Sequence, residues 1–270
     1  MRPTLLNPFK HLITMKRILT ILTAFTAASL FADTARAVET DVVVRVRSKD
    51  AKFIGTSMGG CLITIKKAST GELLASGKTA GSTGNTDLIM KSAHERGKPI
   101  SDPKAGKFTA TLDLEEPMLV EISASGPLAQ RQAGSRVSVT QWILPGKPIT
   151  AGDAIMLEMP GFVVDVLGPP AHVKLAGAPQ KILIKANVTM MCGCPTEPGG
   201  IWDTTKFQVE AIVKKDGKAL KTVALNYAGK TSQFSADFNA ESTGVYEFIV
   251  TAYNSSNGNT GVDSTTVVIK

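Results

Sequence analysis

Met190-Met191-Cys192-Gly193-Cys194 concentrates sulfur donors in a 270-residue chain that holds three cysteines and nine methionines in all. Thiolate and thioether sulfurs are the ligands that select Cu(I) and related soft ions. In an extended chain, residues i and i+2 project to the same side, so Cys192 and Cys194 can reach one ion. Gly193 lets the backbone bend between them, and Pro195 holds Cys194 extended. Met190 and Met191 stand beside the thiols as neutral, weaker donors. Two thiols do not complete a zinc tetrahedron, and no C-x-x-C with a distant partner pair is present. The candidate metal ligands are Cys192, Cys194, Met190 and Met191, with Cys61 (Met58 just before it) as a third contributor and Cu(I) as the expected ion.

Plainer readings stand beside this one. Exported proteins oxidise their thiols, so Cys192 can be bonded to Cys194. Fully extended i and i+2 residues lie about 6.6 Å apart at Cα, near the upper end of disulfide geometry, so such a bridge needs a bend at Gly193 and is strained. Alternatively Cys61 pairs with one of the two and staples two domains together, or the loop performs thiol–disulfide chemistry. Three cysteines cannot all pair within one chain. Met190 and Met191 can equally be packing residues at a strand end.

The remaining candidates give no catalytic arrangement. His94 and His172 read as solvated loop residues, and Glu115-Glu116 as a charged turn. No Ser nucleophile motif, Gly-rich phosphate loop or histidine–carboxylate metal pattern accompanies them. The Gly81–Asp87 stretch lacks the carboxylate density of a calcium loop. The expectation is a protein that is not an enzyme and has no catalytic residues.

Compartment follows from the N-terminus. Lys16-Arg17 is a positive n-region, Ile18 to Phe31 is apolar apart from Thr and Ser, and Ala35-Arg36-Ala37 is an A-x-A cleavage pattern. The apolar stretch is shorter than the roughly 20 residues of a spanning helix. Residues 1–37 are therefore expected to be a signal peptide, leaving a mature chain without a membrane span, exported to a bacterial periplasm or secreted. The whole chain has 30 basic and 23 acidic residues; the leader holds five of the bases and one of the acids, which leaves 25 against 22, a net +3. That balance is too weak to argue for nucleic acid.

The elements that must position the thiols are strands. Apolar residues alternate through Asp41–Arg47, Cys61–Lys66, Leu73–Gly77, Phe108–Leu114, Met118–Ser123, Val137–Ile143 and Ala154–Met159. Leu88–Arg96 has room for a turn or two of helix. A second set begins after Pro160-Gly161: Phe162–Leu167, Ile182–Met190, Phe207–Val213, Leu220–Leu225, Ser232–Phe238, Val245–Tyr253 and Val262–Ile269. Seven strands in about 110 residues suit an immunoglobulin-like sandwich. Asn257-Gly258 is a type I′ turn signal, and Tyr246 stands where a tyrosine corner falls.

Residues 60–125, with GCLITIKKASTGELLASGKTAG, FTATL and MLVEISASG, resemble the carboxypeptidase-regulatory-like (transthyretin-like) β-sandwich. Residues 162–270, ending GVYEFIVTAYNSSNGNTGVDSTTVVIK, resemble bacterial immunoglobulin-like domains. The resemblance implies an all-β chain of two β-sandwich domains, residues 38–160 with a long insertion at 79–106, and residues 161–270. It also implies modules that bind partners, such as another cell-envelope protein, space other domains or ride on enzymes. In the second fold the cysteine loop is the B–C connection and shares one end with the F–G loop and the interdomain boundary. The thiols should then face the N-terminal domain, with Trp202 beside them anchoring the third strand. The expected function is an exported, non-enzymatic binding protein for a soft metal ion or a partner protein. The alternative is a structural or assembly module with a disulfide staple, and a third reading is a thiol–disulfide oxidoreductase.

Overall fold

A computed structural model describes residues 36–270; the expected signal peptide, residues 1–37, lies outside the described residues save Arg36 and Ala37. Seven strands build the first sandwich: β1 (Val38–Ser48), β2 (Leu62–Lys67), β3 (Leu73–Lys78), β4 (Phe108–Leu114), β5 (Met118–Gly126), β6 (Ser135–Ile143) and β7 (Ile155–Met159). They form a three-stranded sheet ordered β4-β1-β7 and a four-stranded sheet ordered β3-β2-β5-β6. Strand β1 runs antiparallel to β4 and parallel to β7. Alternation sets the faces: Val42, Val44 and Val46 of β1 and Ile63 and Ile65 of β2 are fully buried. Each such side chain contributes roughly 1.5–3 kcal/mol by leaving water.

The insertion between β3 and β4 folds back on this sandwich. Its chain bridges Ala80 to Lys107 and Ser82 to Ala105, and Asp87–Lys91 makes one π-helical turn. Ile89, Ile100 and Ala105 close over Phe53 as a small satellite core. Arg45, on the outward face of β1, is thereby buried, donating from Nη1 to the Ala105 carbonyl at 2.7 Å.

The second sandwich comprises β8 (Phe162–Gly168), β9 (Val173–Leu175), β10 (Gln180–Met190), β11 (Phe207–Lys215), β12 (Lys218–Ala224), β13 (Asn226–Tyr227), β14 (Gln233–Ala240), β15 (Gly244–Asn254) and β16 (Asn259–Ile269). The expected seven strands are present, joined by the short β9 and β13. One sheet is ordered β13-β14-β10-β8 and the other β12-β11-β15-β16-β9. Read as A (β8), B (β10), C (β11), E (β14), F (β15) and G (β16), this is the immunoglobulin-like partition, with A, B and E in one sheet and C, F and G in the other. Tyr246 is buried and its hydroxyl donates to the Ser242 carbonyl four residues upstream at 2.8 Å, which is the geometry of a tyrosine corner. The chain is thus all-β, in two sandwiches whose cores run into one apolar cluster.

One turn differs from its expectation. Asn257-Gly258 does not form a two-residue type I′ hairpin: Asn254 pairs with Asn259, so the loop has four residues, with left-handed φ at Gly258 but not at Asn257. Side-chain hydrogen bonds decide this, because Asn254 Oδ1 accepts from Ser256 N and Asn257 Oδ1 accepts from Asn259 N. Replacing Tyr246 by Phe removes the corner bond to the Ser242 carbonyl. Chemical denaturation should register a loss of about 1 kcal/mol; an unchanged midpoint would mean the corner contributes nothing.

Candidate functional site

The thiol loop leaves the end of β10 as a tight turn. Gly193 N donates to the Met190 carbonyl at 2.8 Å, and Met190 N donates to the Cys194 carbonyl at 3.1 Å. Gly193 has φ +76°, so this is a three-residue connection closed by a left-handed glycine. The loop is then pinned from below: Thr196 Oγ1 donates to the Val188 carbonyl at 2.7 Å, and Thr196 N donates to Ser232 Oγ at 3.0 Å. Cys192 and Cys194 therefore lie on a bend, not on the extended chain expected from sequence, and they still end side by side.

The loop faces the first sandwich. Trp202 Nε1 donates to the Asp50 carbonyl at 2.9 Å. From the neighbouring F–G loop, Asn257 Nδ2 donates to Asp50 Oδ2 at 2.8 Å and Asn259 Nδ2 to the Lys49 carbonyl at 3.1 Å. Asn259 Oδ1 in turn accepts from Gly161 N at 2.9 Å, tying in the linker. Asp50 has φ +57°, a conformation Asp tolerates better than most residues. The turn Lys49–Lys52 and the short helical turn Thr56–Met58 thus form the wall against which the thiols sit.

Cys192 and Cys194 are 1% and 5% exposed. The two thiols are close enough to influence each other, and both feel the Lys52 backbone. Burial works to raise the Cys192 thiol, but hydrogen bonds from Cys194 and from Lys52 N–H, with the Lys52 ammonium nearby, together hold it below the ordinary thiol range. Cys194 moves up, first because it shares its hydrogen bond with Cys192 and then because of burial. The first proton therefore leaves the pair more readily than it leaves an ordinary thiol, and the second less readily.

The structure does not bring Cys61 to this loop. Cys61 precedes β2 on its inward face, its N–H donates to Thr79 Oγ1 at 2.9 Å, and its sulfur lies where a Cβ added at Gly126 would meet it at 2.6 Å. Burial alone raises its thiol to about 12. All three cysteines are free, so the Cys61 staple is not made; the side chain is committed to its own sandwich. Met190 continues the buried face of β10, and the Met191 sulfur lies against Gly161. The thioether at the thiol turn is Met58, whose sulfur would stand 2.6 Å from a Cβ at Gly193. Its place just before Cys61 was the only signal in the sequence. Among the described residues, no three His, Cys, Asp or Glu side chains gather to hold a metal ion. His94 and His172 are exposed.

No protein-family model and no curated protein matches the chain. Among solved structures it is similar to an engineered protein, at 19% identity and TM-score 0.30, over 47% of this chain and 24% of that one. It is also similar to the fibronectin(III)-like modules of Clostridium thermocellum CbhA, at 14% identity and TM-score 0.28, over 86% and 94% of the two chains. The titin domains Z1Z2 in complex with telethonin follow at 10% and 0.25, over 87% and 96%. These likenesses are too slight to carry an argument; strand order and the tyrosine corner carry it.

Gly193 can be nothing else without cost, since any side chain there meets both a left-handed φ and the Met58 sulfur. Gly193→Ala should lower stability by about 1–2 kcal/mol from backbone alone, and more with the clash. Met58→Ala in the same chain should return the excess, measured as a double-mutant cycle. Strict additivity of the two changes would mean that Met58 and the turn are not in contact.

Proposed function

We propose that this is an exported, non-enzymatic protein that holds a soft metal ion such as Cu(I) between Cys192 and Cys194 at the seam of its two sandwiches. The observation that carries this reading is the pair itself: two free thiols on one glycine-hinged turn, both shielded from water. Two thiolates and one thioether suit a soft monovalent ion, which accepts fewer ligands than zinc requires. Cys192 and Cys194 would be the principal donors, and Met58 the thioether in support, ahead of Met190 and Met191. Binding displaces thiol protons, and the positive ion offsets the second charge that the pair resists.

Export to a periplasm, or secretion, rests on the Lys16-Arg17 and Ala35-Arg36-Ala37 leader. No described helix is long and apolar enough to cross a membrane. The first sandwich is read as carboxypeptidase-regulatory-like: the GCLITIKK and MLVEISASG segments are the paired strands β2 and β5 at the centre of one sheet. A second reading, a structural module that docks another cell-envelope protein, is favoured by the hydrogen-bonded seam between the sandwiches, which fixes their orientation without a disulfide.

Reduced protein should withdraw Cu(I) from a colorimetric chelator. Cys192→Ser and Cys194→Ser should each abolish this, and Cys61→Ser should leave it intact. Met58→Ala should weaken it roughly tenfold, the lower end of what a supporting group contributes at a metal site. Uptake that persists without both loop thiols would sink the reading.

A further inference from the structure

We propose that Cys192 and Cys194 also form a reversible two-electron couple, closing to a disulfide within the loop by exchange with a disulfide-bearing oxidant. The inference concerns the same loop as the metal reading and adds a regulation to it: a sulfur tied up in the bridge is no longer a thiolate donor, so the oxidised loop is closed to soft metal.

Three features of the geometry support it. Both thiols sit on one tight turn closed by the Met190 and Gly193 hydrogen bonds, and the bend at Gly193 removes the separation that an extended i, i+2 pair would have to overcome. Neither thiol has another partner, because Cys61 is enclosed against Gly126 in the first sandwich. The bridge closes a very short ring on a turn anchored at both ends by Met190 and Thr196. Strain of that kind raises the reduction potential and makes a disulfide labile instead of permanent.

The exchange balances without a further reagent. One loop thiolate attacks a sulfur of the oxidant, forming a mixed disulfide and releasing one oxidant thiolate. The second loop thiolate then attacks the loop sulfur of that mixed disulfide and releases the other. Two electrons pass to the oxidant, the two thiol protons end on its two released thiols, and one S–S bond is broken for the one made. With the two cysteines 1% and 5% exposed, the exchange requires the Lys49–Lys52 turn to lift from the loop.

The test equilibrates chelator-treated full-length mature protein across ratios of oxidised to reduced glutathione, quenches by acid and alkylation, and maps the peptides by mass. The expected result is a single reversible transition in which the peptide carrying Cys192 and Cys194 loses two hydrogens, unchanged in Cys61→Ser, while circular dichroism reports a folded chain throughout. Loop thiols that stay reduced at every ratio, or a bridge to Cys61 or to a second molecule, would overturn the proposal. Cu(I) uptake by the fully reduced protein is scored separately. Uptake without the bridge removes this proposal and keeps the metal reading; a bridge without uptake does the reverse.

Discussion

Across the seam between the sandwiches, the indole N–H of Trp202 ends on the carbonyl oxygen of Asp50. Trp202 is largely buried, so water is a poor substitute, and leaving such a donor unpaired costs about 1–3 kcal/mol. That bond fixes the B–C loop against the first sandwich, and Asn257 and Asn259 fix the F–G loop to the same turn. Two loops from one end of an immunoglobulin-like sandwich are thereby locked on a single four-residue turn, Lys49–Lys52. Because Asp50 holds a left-handed conformation there, the turn presents its carbonyls and the Lys52 N–H toward the second sandwich.

The chemistry of the thiols is a consequence of that docking. A lone buried thiol behaves as Cys61 does: desolvation drives its pKa to about 12, and a neutral thiol is a poor ligand and a poor nucleophile. Cys192 suffers similar burial, yet its neighbours reverse the outcome, because Cys194 and the Lys52 N–H supply hydrogen bonds to a developing thiolate. Residues from both sandwiches are needed for this: the sulfurs come from the second, while the Lys52 amide, the ammonium charge and the Met58 thioether come from the first.

Strand alternation made most of this architecture legible in the sequence. Val42, Val44 and Val46, or Tyr246, Phe248 and Val250, announce buried faces directly, and Tyr246 announces its corner by position. The very short β9 and β13 carried too few residues for any period to register. The bend at the thiols was half legible: Gly193 marked flexibility, but its left-handed φ depends on the hydrogen bonds of Met190, which no spacing reveals. For Cys61, strand phase matters more than closeness in sequence: the inward phase of β2 commits its side chain to its own core and leaves Met58, three residues earlier, at the loop. Asn257-Gly258 misled for a related reason, since its side chain works across the seam to Asp50.

Docking of the first sandwich shields the thiol pair, and alkylation kinetics put this shielding to the test. Reduced protein would be treated with a maleimide, with the labelling of Cys192 and Cys194 followed by mass against time in native buffer and in urea. The account predicts native labelling slower than in the unfolded chain by roughly 100-fold or more, the factor for an opening cost of about 3 kcal/mol, and faster labelling in Trp202→Phe. Equal rates in the folded and unfolded chain would contradict it.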